Sequence, residues 1–207
     1  MRSEQTHLRV VGIGGTLREG SSSLGALRRA LAAAEDAGAE TELLDLRELD
    51  LPVFEPGLTM EEYGPGVERL VEAMRGADAL ILSTAAYHGS LAGVTKNALD
   101  FAHLLSGGQR RYLDGTVVGL ISTAGGGQAG TNTNATMVHI VHALRGVVAP
   151  LTVAIPRAWK MFDGEGNVTD DGYGDRLDRL GRLVVELSER LAPRDGMSNA
   201  PLAGVAG

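Results

Sequence analysis

Short apolar runs alternate with amphipathic stretches along most of the 207 residues. Leu8 to Ile13 is a compact run ending at Gly14-Gly15, the pattern of a buried parallel strand that feeds a tight turn. Beyond it Ser21, Ser22 and Ser23 offer N-cap oxygens, Leu24, Leu27 and Leu31 recur on one helical face, and Gly38 supplies a stop. Thr41 to Leu46 reads as a second strand. Arg47 to Pro65 carries three prolines and lacks the periodicity of a regular element throughout, whereas Val67 to Arg75 predicts a helix. Ala79 to Thr84 is a third strand, and a helix over Val94 to Leu105 follows with Val94, Ala98, Phe101 and Leu105 on one face. Val117 to Ser122 and Thr131 to Arg145 repeat the strand and helix signals, and Gly146 ends the latter. Val147 to Ile155 gives a fifth strand, Asp163 to Gly174 a polar glycine-rich stretch, and Leu177, Leu180, Val184, Leu187 and Leu191 a last amphipathic helix.

Strands that alternate with helices predict an open α/β sheet, because parallel neighbours need crossover helices that then cover both faces. Five strands fit the doubly wound, flavodoxin-like order 2-1-3-4-5, whose switch point lies between strands one and three, with ligand above their C-terminal ends. One domain over residues 1–192 and a C-terminal tail over 193–207 are expected. The composition agrees: 43% apolar and 22% charged residues describe a folded globular chain. A net charge of −7 disfavours nucleic acid and anionic lipid as partners, and no apolar run approaches the roughly 20 residues of a membrane span. The expected compartment is the cytoplasm and the expected partners are small molecules. With zero cysteines, disulfides, thiolate nucleophiles and cysteine-ligated metals are excluded, so redox chemistry has to come from a bound cofactor.

Three loops carry the candidate chemistry. After strand one, Gly15, Thr16, Arg18, Ser21, Ser22 and Ser23 combine bare backbone, hydroxyls and one guanidinium at a helix N-terminus, which suits a phosphate; the competing reading is a capped serine-rich turn. Gly15 and Gly20 match the glycines of a G-x-x-x-x-G-K-[ST] loop, but Ser21 stands at the lysine position. A dinucleotide fingerprint starting at Gly12 meets Leu17 where a third glycine is needed. A mononucleotide therefore fits best. After strand three, Ala85, Ala86, Tyr87 and His88 precede Gly89-Ser90, and after strand four Thr123 precedes Gly125, Gly126, Gly127 and Gln128, where bare backbone admits a flat ring.

These loops, with two further motifs, resemble the NADPH-dependent FMN reductase family over roughly residues 8 to 155. Gly15-Thr16-Leu17-Arg18 and Ser21 resemble its G-S-x-R-x-x-S loop, and Asp45-Leu46 with Leu51-Pro52 its D-L-x-x-L-x-L-P segment. The most specific likeness is Tyr87-His88-Gly89-Ser90 with Gly93-Val94-Thr95-Lys96-Asn97-Ala98-Leu99-Asp100-Phe101, set against Y-N/H-x-S and G-x-x-K-N-A-L-D-W. The resemblance implies FMN as cofactor, with Thr16, Arg18 and Ser21 to Ser23 on its phosphate, Ala85 to His88 along the ring and ribityl chain, and Gly125 to Gln128 flanking the isoalloxazine. It implies NADPH or NADH as electron donor, hydride transfer at the flavin N5 without a catalytic side chain, and a flavin, quinone, azo or nitro compound or metal oxyanion as acceptor. A flavodoxin-type electron carrier is the alternative. Ala85-Ala86 departs from the family's Pro-Glu, so any rigidity or hydrogen bonding from that pair is missing. The resemblance also implies a homodimer or homotetramer in which Lys96 and Asp100 reach another subunit; the local alternative is an ordinary i,i+4 pair. Two weaker candidates are His139 with His142 as metal ligands, against solvated histidines, and Arg110 with Arg111 for an NADPH 2′-phosphate, against a plain loop.

Overall fold

The computed structural model describes residues 7–108 and 110–192; the expected tail over 193–207 lies outside the described residues. Strands β1 (Arg9–Gly14), β2 (Glu40–Asp45), β3 (Ala79–Tyr87), β5 (Val117–Thr123) and β6 (Val147–Ile155) pair in parallel in the order β2-β1-β3-β5-β6, and β4 (Ser90–Leu91) adds two residues antiparallel to β3. Setting β4 aside, this is the expected 2-1-3-4-5 order. The central strands are near-continuous apolar runs because both faces are covered. Val11, Ile13, Leu80, Leu82, Val118 and Leu120 face one core, against α4 (Pro65–Gly76), α5 (Gly93–Asp100) and α6 (Gly127–Ala143). Val10, Ala79, Ile81, Val117 and Ile121 face the other, against α1 (Ser22–Asp36) and α8 (Asp171–Leu191).

On that second face the sheet and helices approach closely. A Cβ on Gly12 would stand 2.6 Å from the Leu31 side chain, and one on Gly181 only 2.1 Å from the Ala30 carbonyl of α1. Arg29 then joins α1 to α8 through a two-point contact with Asp178, at 2.8 and 2.9 Å. The edge strand β6 shifts register between the partners of Val118 and Leu120, and the irregularity accommodates Pro150, which has no amide to donate.

Several boundaries differ from the expected ones. β3 runs three residues past Thr84, because Ala85 pairs with Thr123 and Ala86 and Tyr87 pair with β4. The stretch read as one helix over 94–105 is α5 followed by a 3-10 segment, Phe101–Leu105. α8 starts at Asp171, inside the glycine-rich stretch, where Asp170 accepts from the Tyr173 amide at 3.0 Å and Gly174 leaves room for the Arg29 guanidinium. The 47–65 segment holds two single-turn helices, α2 (Leu46–Leu49) and α3 (Met60–Tyr63), the latter closed by a Thr59–Glu62 capping box. Asn97 fastens the segment by accepting from the Phe54 amide at 2.8 Å and donating to the Pro52 carbonyl at 2.7 Å.

Candidate functional site

β1 delivers the chain to the first loop at Gly14. Gly15 turns it with φ 95°, and the buried Thr16 hydroxyl accepts from the Arg18 amide at 3.2 Å. Ser21 occupies the N-cap position of α1, but its side chain caps no amide; its Oγ lies 2.8 Å from Ser23 Oγ instead. The Ser23 carbonyl accepts from Ser83 Oγ at 2.7 Å, which ties the first turn of α1 to β3. The amides of that turn have no intrahelical acceptor and no side-chain cap, so the positive end of the helix dipole is open to an anion. A capped turn, the competing reading of this loop, is not what forms.

At the end of β3 the Thr84 hydroxyl accepts from the Ala92 amide at 3.1 Å and lies 2.9 Å from Thr95 Oγ1, which anchors the hairpin to α5. His88 and Gly89 form its two-residue turn with φ of 50° and 86°, the left-handed geometry that tight hairpins require. Tyr87 and His88 are thereby separated in role: His88 is at the exposed turn and Tyr87 at the strand end.

At the end of β5 the Ala124 amide donates to the Ile155 carbonyl at 2.9 Å, and its carbonyl accepts from the Ala158 amide at 3.1 Å, which draws α7 (Ala158–Met161) alongside. α6 begins four residues earlier than expected, so Gly126 is its N-cap and Gly127 and Gln128 belong to its first turn. The missing apolar periodicity hid this turn; Ser122 Oγ holds it to β5 by donating to the Gly130 carbonyl at 2.9 Å. A Cβ on Gly126 or Gly127 would meet nothing within 4 Å, and neither has a positive φ. Neither packing nor backbone conformation requires glycine there, so the bare surface is available to a ligand.

The three loops meet. Thr16, Arg18, Ser21 and Ser22 from the first, Ala85, Ala86 and Tyr87 from the second, and Thr123 and Gly125 from the third line one cleft of about 290 Å³ at the C-terminal ends of β1, β3 and β5. Gly15, Ser23, His88, Gly126, Gly127 and Gln128 belong to the same loops but do not line it. Sequence reasoning missed Ala124, Ala158 and Trp159, which complete the lining. Trp159 had a signal, being the one tryptophan and following the fifth strand by four residues. A larger groove of about 480 Å³ lies between α1, α8 and the 163–168 turn, but its lining mixes Arg28, Arg29 and Arg182 with Asp36, Glu165 and Asp178, the last bound by Arg29, and no strand residue lines it.

Three expectations are corrected or localised. Arg110 serves the opposite end of the sheet: its guanidinium donates to the carbonyls of Met74 and Ala77 at 2.8 Å and of Arg75 at 2.7 Å, which closes the C-terminus of α4. Burial presses its pKa below the ordinary arginine value, against the pull of Asp78 and Asp114. It cannot reach a nucleotide in the cleft, which lies about 26 Å away along the nine residues of β3. Lys96 and Asp100 form an ion pair within α5, with both side chains partly exposed. Among the described residues no group of three His, Asp or Glu side chains converges to hold a metal ion, and His139 and His142 are both exposed.

The residues present suit FMN on the chemistry of their donors: uncapped amides, hydroxyls and a guanidinium for the phosphate, then small side chains and bare backbone for a flat ring. Comparison with known proteins agrees. The family model described as NADPH-dependent FMN reductase matches residues 8–160. An NAD(P)H-dependent FMN reductase of Pseudomonas aeruginosa is 33% identical over 169 residues, covering 79% of this chain and 86% of that protein. A probable NADPH:quinone oxidoreductase of Oryza sativa subsp. japonica is 28% identical over 181 residues, covering 82% and 83%. In fold the chain is similar to a flavoenzyme NAD(P)H:(acceptor) oxidoreductase from Paracoccus denitrificans, with a TM-score of 0.67, 22% identity and coverage of 88% and 98%. By its matched residues and the cleft they build, the chain belongs to the NADPH-dependent FMN reductase family.

Proposed function

We propose that this chain is an FMN-dependent NAD(P)H oxidoreductase that passes electrons from a reduced nicotinamide to a small acceptor. The observation that carries the reading is the convergence of three sequence-distant loops on one cleft above β1, β3 and β5. Arg18 and the hydroxyls of Thr16, Ser21 and Ser22, with the amides of the first turn of α1, hold the phosphate, and Ser23 supports them through its contact with Ser21. Ala85, Ala86 and Tyr87 border the ring and ribityl chain, with His88 at the turn beyond them, and Thr123 and Gly125 flank the isoalloxazine, ahead of Gly126, Gly127 and Gln128 in the same loop. Bound FMN supplies hydride acceptance from NADPH or NADH and onward delivery of two electrons. The side chains bind, orient and exclude water, and none has to act as acid or base.

The reading extends to assembly and setting. A homodimer or homotetramer is proposed, in which Lys96 and Asp100 exchange their contact within α5 for one across subunits; light scattering of the wild type and Asp100→Asn tests it by a change in mass. Residues 1–192 form one domain in this reading, and the compartment is the cytoplasm, in keeping with the absence of cysteine and of any described helix long and apolar enough to cross a membrane. The activity is tested by adding NADPH or NADH anaerobically to the FMN-loaded protein. Rapid bleaching is expected; a stable yellow complex would instead identify an electron carrier, and failure to take up FMN would overturn both.

A further inference from the structure

Trp159 stands with 66% of its surface in water, yet the segment carrying it is firmly held. Arg157 turns the chain into it at φ 49°. The Ala158 amide donates to the Ala124 carbonyl at 3.1 Å, and the Thr169 amide to the Met161 carbonyl at 2.9 Å. Ala158, Met161 and Phe162 pack inward on the core between sheet, α1 and α8. The segment thus buries its other apolar side chains and presents the largest one outward, forgoing the burial free energy of an indole. With the backbone held, only the two torsions of the indole side chain are left to order when a ligand stacks on it.

The surroundings say which ligand. Cζ3 of Trp159 lies 3.7 Å from the point where a Cβ on Gly125 would stand. Tyr87, itself 55% exposed, lines the same cleft, and the Gly125 loop separates the two rings in strand order. Around Trp159 the lining is Ala124, Gly125 and Ala158; Arg18, on the first loop, is the one charged residue of the whole cleft. A wall whose lining residues carry no charge and present an exposed indole favours a flat neutral ring system over a charged inorganic oxyanion.

We propose that Trp159 is a specificity-determining residue for the electron acceptor, stacking a planar uncharged aromatic of the quinone class and selecting it over inorganic oxidants. The proposal rests on the oxidoreductase reading above and deepens it. In the net reaction NADPH and one proton are consumed, the quinone gains two electrons and two protons to become the hydroquinone, and NADP⁺ leaves.

The test uses the FMN-loaded protein with a naphthoquinone and with ferricyanide as alternative acceptors. In Trp159→Ala the ratio of kcat/KM for the naphthoquinone to that for ferricyanide is expected to fall about tenfold, through KM, and Trp159→Phe is expected to regain most of it. A second readout needs no variant: all tryptophan fluorescence comes from this one residue, so the naphthoquinone should quench it saturably, with half-saturation near its KM. An unchanged ratio, or quenching without saturation, would overturn the proposal. If NADPH fails to bleach the bound flavin in the wild type, the oxidoreductase reading falls and the proposal with it; bleaching with an unchanged ratio removes the role of Trp159 alone.

Discussion

Arg18 and Arg110 are both arginines in glycine-containing loops, and tertiary placement gives them unrelated roles. Arg18 lines the cleft without an ion-pair partner among the described residues, while the adjacent Glu19 reaches Arg47 at 3.8 Å. Replacing Arg18 by alanine is expected to weaken FMN binding by about 1–3 kcal/mol, the range of a charge-assisted hydrogen bond, read by flavin titration. Arg110 bonds three carbonyls at the far end of β3. Arg110→Ala should cost about 2 kcal/mol of stability, discounted for partial exposure, and leave the FMN dissociation constant as it was; denaturant unfolding and the same titration check both halves. Residue type and loop membership were legible in the chain for both arginines, whereas the groups within their reach were not.

Between elements, the contact of Arg29 on α1 with Asp178 on α8 fixes the helix pair that backs the first loop. The hydrogen bond from Arg29 holds the Asp178 carboxyl below its ordinary 3.8, against the opposing effect of burial. The folded state therefore binds this proton less tightly than the unfolded state. The contribution is complete above about pH 4 and disappears as pH falls through the lowered folded value. Both side chains are about a quarter to a third exposed, so screening limits the pair to about 1 kcal/mol. Asp178→Asn is expected to lower the melting temperature by roughly 2–4 °C at pH 7 and to flatten the acid limb below pH 4, as thermal scans across pH would show. Elements with strong periodicity, such as α1 and α8, were readable because one apolar stripe meets one core. The first turn of α6 was not readable, since its glycines carry no pattern and its support is the Ser122 contact with Gly130.

For the whole molecule, FMN that binds only the folded state adds about 2.7 kcal/mol of stability at one hundred times its dissociation constant. A rise of roughly 5–10 °C in melting temperature on adding FMN, diminished in Arg18→Ala, is the expected result. The order of strands and the end of the sheet at which the three loops gather were determined by the chain itself, because parallel strands need crossover helices and the apolar runs are buried on both sides. The three loops were likewise visible as clusters of glycine, hydroxyl and ring side chains. Only the tertiary structure decided which of their residues line the cleft, turning His88 outward at a left-handed hairpin position and bringing Trp159 in from β6. The physical reason is range: apolar periodicity is set by neighbours within a few residues, whereas a cleft is set by hydrogen bonds such as Ala158 to Ala124 that join distant parts of the chain.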